Sequence, residues 1–389
     1  MAANPALGVF FHWLGGLASG SFYVPYRGVR RWSWETYWLV GGFFSWIIAP
    51  WFLGHLMTRD LLAVLSETPK STLFWAFFFG ILWGIVGLTF GLTMRFLGLS
   101  LGMAVALGLC AAFGTLMPPI FSGVFVSQVL GTNSGRVILL GIFVCLLGIA
   151  AAGLAGIFKE RAMSPEQQKA AIEEFDLKKG LAVATLSGVM SACFAYGLAA
   201  GAPIKALTLK HGTPPLWQGL PVLVVVLIGG FATNFIWCLA LNIRNRTGYQ
   251  YFTADAKRYS QVAKETIVET AIDAPSREVV EHIPSFKRSN SAKRVPMLAN
   301  YLLCALAGTT WYFQFFFYTM GETQMGKYGF SSWTLHMASI IIFSSLWGIG
   351  LKEWKGAGAP AMRLLTLALF LLVGSTIIVG YGNYLGLAH

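Results

Sequence analysis

The chain has 389 residues, 56% of them hydrophobic and only 11% charged, with a net charge of +12. Soluble domains carry about 25% charged residues, so this composition excludes a chain that covers itself with a polar surface; its outside must face lipid. The basic excess does not point to nucleic acid, because membrane proteins gather Lys and Arg in their cytoplasmic loops.

The 44 Gly, 14 Trp and 30 Phe fit the same setting, since small residues let membrane helices approach closely. The five cysteines (110, 145, 193, 238 and 304) all fall in apolar stretches without metal-ligand spacing. They read as buried thiols, and neither a disulfide nor a zinc site is expected. No basic segment precedes the first apolar stretch, at 7–26. That stretch reads as a retained helix and not as a cleaved signal.

A bilayer core takes about 20 apolar residues per helix. Apolar runs of that length fall at about 6–26, 36–56, 73–94, 98–121, 136–157, 180–200, 218–241, 297–320, 331–351 and 363–384. The expected fold is therefore an all-α integral membrane protein of ten transmembrane helices. With the N-terminus outside, the loops after the odd-numbered spans hold 22 of the 28 basic residues. By the positive-inside rule those loops are cytoplasmic, and both termini lie outside. The only long polar segment, 242–296, carries ten basic and six acidic residues, an amphipathic stretch at 259–272 and a basic end at 287–294. It reads as a solvated cytoplasmic insertion that can rest on anionic lipid.

The two halves echo each other. Gly80-x-x-Trp83 is followed by Thr93-Met94, and Gly308-x-x-Trp311 by Thr319-Met320. Five spans per half is an odd number, so the second half must be inverted relative to the first, an arrangement typical of secondary transporters. The expected units are a first repeat at 1–157, a cytoplasmic linker at 158–179, and a second repeat at 180–389 that contains the 242–296 insertion.

Several blocks resemble a known family. They are Phe11-His12-Trp13-Leu14-Gly15, Trp32-Ser33-Trp34-Glu35-Thr36, the 91–98 segment Gly-Leu-Thr-Met-Arg-Phe-Leu-Gly, the 311–318 segment Trp-Tyr-Phe-Gln-Phe-Phe-Phe-Tyr, Leu335-His336-Met337 and Leu351-Lys352-Glu353-Trp354. Together they are similar to the L-rhamnose–proton symporter family of the drug/metabolite transporter superfamily. The resemblance runs from the first span to the last. It implies rhamnose import with protons and a ten-helix fold of two five-helix repeats; the expected location is the cell inner membrane, with both termini periplasmic.

The residues point the same way. Polar groups inside a membrane are costly and mark functional sites. His12 and His336 are each about the sixth residue of their spans, placing both about 8 Å below the outer surface. Gln314, six residues from the outer end of its span, shares their layer. Trp311, Gln314, Phe315 and Tyr318 recur at helical spacing and form one stripe. Aromatic rings can stack on a sugar's C–H face while Gln and His bind its hydroxyls. The expected substrate-binding residues are Trp311, Gln314, Tyr318, His12, His336, Tyr312 and Trp13. Imidazole, with an ordinary pKa of about 6.5, suits proton coupling, which falls to His336 or His12, with Glu35 in reserve. The bland readings are interhelical packing for the stripe, and interfacial ion pairs for Glu35 with Arg30 or Arg31 and for Glu353 with Lys352. The expected partners are a rhamnose-like sugar, protons and the bilayer, with no cofactor, metal or nucleic acid. An exporter of amino acids or other metabolites on the same scaffold is the alternative. An enzyme is not expected, because paired acids, metal ligands and nucleophile–base pairs do not appear in the motifs.

The uneven split of basic residues generates a direct test. An alkaline phosphatase fused after His389 should be active, and a fluorescent protein fused there dark; the reverse result inverts the orientation.

Overall fold

The computed structural model describes residues 3–97, 99–162, 176–255 and 294–387. The amphipathic stretch at 259–272 and most of the basic end at 287–294 lie outside them. Regular structure among the described residues is helical, apart from one isolated bridge between Asp255 and Arg294.

The helices are α1 Pro5–Ser21, α2 Tyr23–Tyr26, α3 Trp34–Phe43, α4 Ala49–Met57, α5 Leu61–Glu67, α6 Lys70–Gly84, α7 Val86–Leu97, α8 Leu99–Phe121, α9 Asn133–Arg161, α10 Leu177–Ala200, α11 Ala202–Lys210, α12 Leu220–Arg244, α13 Met297–Thr323, α14 Ser332–Gly350 and α15 Gly358–Leu385. Local chemistry sets their ends. Asn4 caps α1 by accepting from the Leu7 amide at 3.2 Å, with Pro5 at the first helical position. Thr132 caps α9 and Asp176 caps α10 in the same way.

The second span is not a plain α-helix. A π-turn at Phe44–Ile48 joins α3 to α4. Its cause is Pro50, which lacks an N–H and whose ring presses on the carbonyl one turn earlier, at Trp46. The third span breaks at Ile85, between α6 and α7.

Among the described residues, seven helices are long and apolar enough to cross a membrane: 34–57, 101–121, 133–161, 177–210, 215–244, 326–350 and 358–385. Three further segments match expected spans in position. Of these, α1–α2 and α6–α7 are interrupted, and α13 is diluted by Asn300, Thr309, Thr310, Gln314 and Thr319. That dilution is informative, because α13 is the helix that carries most of the site.

Both termini reach one end of the bundle: Ala3 and Leu387 flank Gly326. This terminal face also holds α5, α11 and the short helix Gly326–Ser331. The opposite face holds the turns at 27–33, 245–255 and 351–357, the first tied to the second by the bond from Ser33 to Gln250 and to the third by the Arg27–Glu353 pair.

Packing follows a regular scheme. Helix α1 lies against α13 and α14, while α10 lies against α6–α7 and α8. Helix α3 packs on α13, and α12 packs on α6. Helices α9 and α15 run along each other, each also touching its sequence neighbour, α8 or α14. Glycines set the closest approaches. A Cβ on Gly80 would collide with the Val226 carbonyl of α12, and one on Gly308 with the Gly41 carbonyl of α3. The glycine of each Gly-x-x-Trp motif therefore seats its helix on a partner's backbone.

Gly308→Ala should destabilise the protein by about 1–3 kcal/mol, because a backbone carbonyl cannot yield as a side chain does. Gly374→Ala, on α15 with nothing near its added carbon, should be neutral or mildly stabilising. Thermal unfolding in detergent compares the two.

Candidate functional site

The site forms where α1, α13 and α14 meet. Gly15, one turn after His12, permits the contact: a Cβ there would lie 2.8 Å from the Gln314 carbonyl oxygen and 3.5 Å from His336 Nδ1. Gly321 does the same from the other side, since its Cβ would stand 2.8 Å from His12 Nε2 and 3.0 Å from the Gly8 carbonyl. Ser339 of α14 adds a hydroxyl bond to the His12 carbonyl at 2.9 Å.

Tyr318 stands between the two histidines. Its ring centroid is 5.3 Å from His12 and 5.3 Å from His336, edge-on to both. Both imidazoles are fully buried, and none of their four ring nitrogens has a hydrogen-bond partner among the described residues. The Gln314 Nε2, Tyr312 hydroxyl, Trp13 Nε1 and Ser332 hydroxyl are likewise buried and unpaired. Each such group costs about 1–3 kcal/mol, a cost that a packed protein avoids unless the groups serve something else.

An aromatic wall closes this polar layer. Trp333 stands 5.8 Å from Tyr318 and 6.1 Å from His336. Phe315 stacks on Phe194 at 4.0 Å. Trp311 lies 5.0 Å from Phe315, 5.7 Å from Trp83 and 5.5 Å from Trp46. Behind Trp311, towards the opposite face, lies a narrow crevice lined by Phe22, Tyr26, Trp38, Ser45, Trp46 and Trp311, among others.

The structure thus brings His12, His336 and Tyr318 together and sets Trp311 in the adjoining wall. Gln314 lies where α1 touches α13, through its carbonyl. Tyr312 does not join this group: it sits about 100° round α13 from Trp311, on the face of Phe316, which packs on Trp217. Trp13 meets Phe343 edge-on at 5.9 Å. Glu35 is remote. It lies at the opposite face, where its Oε1 takes the Asn245 amide at 3.1 Å and the Thr247 hydroxyl at 2.8 Å. Those partners replace the Arg30 or Arg31 expected for Glu35. Glu353 likewise pairs with Arg27 instead of Lys352.

Trp333, Phe194 and Trp83 were not among the expected site residues. Trp333 precedes His336 by three positions, a spacing that already places both on one face. Trp83 was visible through its repeated motif. Phe194 had no local signal.

Apolar helices in this number, enclosing a buried polar layer, define a multi-pass membrane protein. The model of the family described as "L-rhamnose-proton symport protein" matches residues 1–267 and 279–385. The chain belongs to this family, which is one of transporters and not of enzymes. Proteins called L-rhamnose-proton symporter from Salmonella gallinarum, Salmonella paratyphi B and Salmonella newport are each 36% identical to it over 377 residues, covering 97% of both chains.

The close fit around His12 can be probed without touching a polar group. Gly321→Ala should push the imidazole or α1 away and reduce ligand affinity at least about fivefold, a shift worth about 1 kcal/mol. Titration of tryptophan fluorescence in the purified variant measures this.

Proposed function

We propose that the protein imports L-rhamnose, or a similar neutral deoxy sugar, together with protons. One observation carries the reading: buried, unpaired imidazole and amide groups stand against an aromatic wall. Hydroxyls of a sugar satisfy such nitrogens, and its C–H face and methyl group suit Trp311, Phe315 and Phe194. The names of the relatives agree. A neutral substrate also explains why no fixed charge stands among these groups, where an amino acid would call for counter-charges.

In this reading all ten segments cross the membrane as two inverted five-helix repeats, 1–157 and 180–389, joined by the 158–179 linker and with the insertion at 242–296. The packing supports it. Exchanging each span for its counterpart five spans later turns the α1–α13 contact into α10–α6/α7, α1–α14 into α10–α8, and α3–α13 into α12–α6, while α9–α15 maps onto itself. Trp83 and Trp311, equivalent in the repeated motif, meet at the centre, as residues beside a two-fold axis must. The distribution of basic residues supports an orientation with the terminal face on the periplasmic side of the inner membrane and the Glu35 network on the cytoplasmic side.

The coupling proton is carried by His336 or His12, with Glu35 as the reserve. Coupling is reciprocal: a proton that tightens sugar binding requires that sugar raise the proton affinity of the same group. Sugar hydroxyls accepting from an imidazolium do this.

The decisive measurement is uptake of radiolabelled rhamnose into proteoliposomes with and without a pH gradient. Trp311→Ala and Gln314→Ala should each lower affinity roughly 5- to 150-fold, equivalent to about 1–3 kcal/mol; unchanged affinity would return the stripe to packing. His336→Gln should keep sugar exchange but lose accumulation. A full sugar-induced alkalinisation in both His336→Gln and His12→Gln would sink the histidine mechanism and turn attention to Glu35.

A further inference from the structure

The stripe on α13 does not stop at Tyr318. Residues 311, 315, 318 and 322 fall within about 60° of one another at 100° per residue, so Glu322 continues it by one turn. That turn raises Glu322 about 6 Å towards the terminal face, directly beyond the layer where Tyr318 separates the two imidazoles. Glu322 Oε2 is bound by Lys205 Nζ at 2.7 Å. The two side chains are only 24% and 19% exposed, against 43% and 56% for Glu353 and Arg27 at the opposite face.

Lys205 lies beyond a break in the helix. Helix α10 ends at Ala200, and after Gly201 the chain restarts as α11, whose second residue is Pro203. From α11 the chain crosses over the end of α13. There a Cβ on Gly219 would stand 2.8 Å from Thr319 Cβ, and Trp217 leans on Phe316 at 5.5 Å. Segment 202–219 thus forms a lid over the outer end of the site helix; the ion pair ties it to α13, while Thr213, accepting from the Arg59 amide, and His211, against Glu67, tie it to residues 59–67. A part-buried pair resists loss of one charge strongly, because the other is left without a partner.

We propose that Glu322 is the group through which protons enter from the outer face, and that its pair with Lys205 bolts the lid until the carboxylate is protonated. The inference rests on the proton-coupled reading above. The step is a proton transfer only. Outer water delivers a proton to a Glu322 carboxylate oxygen, the carboxylate becomes neutral, and Lys205 remains an ammonium released to solvent. The proton then lies one turn from Tyr318 and the imidazoles beside it. The other titratable groups around Glu322 are few. His12 approaches from α1 through Gly321, His336 from α14 through Tyr318, and Lys327 and Tyr328 belong to the short helix whose Gly329 lies beside the Glu322 side chain. Lys327 stands over the Tyr328 ring at 5.4 Å, leaving Lys205 as the cation in contact.

A cysteine at Thr319, buried under the lid, reports opening to an impermeant thiol reagent applied from outside intact cells; the five native cysteines are buried and the parent without Thr319→Cys gives the background. Glu322→Gln and Lys205→Met should each speed labelling at least about tenfold, the scale of one lost charge pair. The exchanged pair Lys205→Glu with Glu322→Lys should slow it again. Lowering the external pH should speed labelling of the parent relative to the Glu322→Gln background at the same pH. Rhamnose uptake should lose its dependence on external pH in Glu322→Gln and retain it in Lys205→Met. Labelling unchanged in both single variants, or a parental pH dependence of uptake in Glu322→Gln, overturns the proposal. A parent that takes up no rhamnose at any pH defeats the transport reading instead, and the labelling comparison still decides the bolt.

Discussion

A bilayer core offers no water to a polar group, so each buried donor or acceptor must find its partner inside the protein or carry the cost. Most polar side chains here find theirs close by. Asn234 and Asn242 bond carbonyls one turn back, Thr115 meets Thr334 at 2.7 Å, and Trp333 donates to the Cys110 carbonyl. Against that background the unpaired imidazoles of His12 and His336 stand out. They lie at the junction of α1, α13 and α14, held close by Gly15 and Gly321. The rest of the structure is arranged so that these groups stay dry: an aromatic wall below, a lid above, and glycine seams on either side that leave no room for lipid.

The two ends of the bundle are closed by different chemistry. At the terminal face the part-buried ion pair Lys205–Glu322 ties a short helix to the site helix, beside the His211–Glu67 contact and the bond from the Asn4 amide to Gln324. At the opposite face a broader network joins Glu35, Asn242, Asn245, Thr247 and Tyr251, backed by Asn300 bonded to the Arg30 backbone and by an exposed Arg27–Glu353 pair. A single ion pair responds to one proton, whereas a net of neutral bonds around one carboxylate gives way only as several bonds exchange together.

The aromatic wall also explains how a repeated motif serves a site that is not itself symmetric. Gly80 and Gly308 do the same job, each seating its helix on a partner's backbone, and Trp83 and Trp311 meet between them. The histidines, by contrast, come from α1 and α14; under the proposed repeat, their counterparts α10 and α8 supply Phe194 and Cys110 at the equivalent junction. One junction thus carries polar chemistry and its mate carries packing.

Much of this was legible in the chain. Composition alone excludes a soluble protein, and the apolar runs placed their helices closely: 98–121 against Leu99–Phe121, and 331–351 against Ser332–Gly350. The helical period on α13 put Trp311, Phe315 and Tyr318 on one face. The same period carried one turn further would have included Glu322 and left out Tyr312, but a stripe traced by apolar character ends where the charge begins. The π-turn before Pro50 and the break at Ile85 were not visible to hydropathy, which counts composition and not backbone geometry. What the sequence determined by itself is therefore everything that depends on local order: which segments are apolar, which residues share a helix face, and where basic residues collect. Only the tertiary structure decided that His12 and His336 flank Tyr318, that Glu35 answers to Asn245 and Thr247, and that Lys205 reaches Glu322. Those meetings depend on which helices lie side by side. That choice is made by backbone approaches at glycines such as Gly15, Gly308 and Gly321, between segments far apart in the chain, and no local periodicity encodes it.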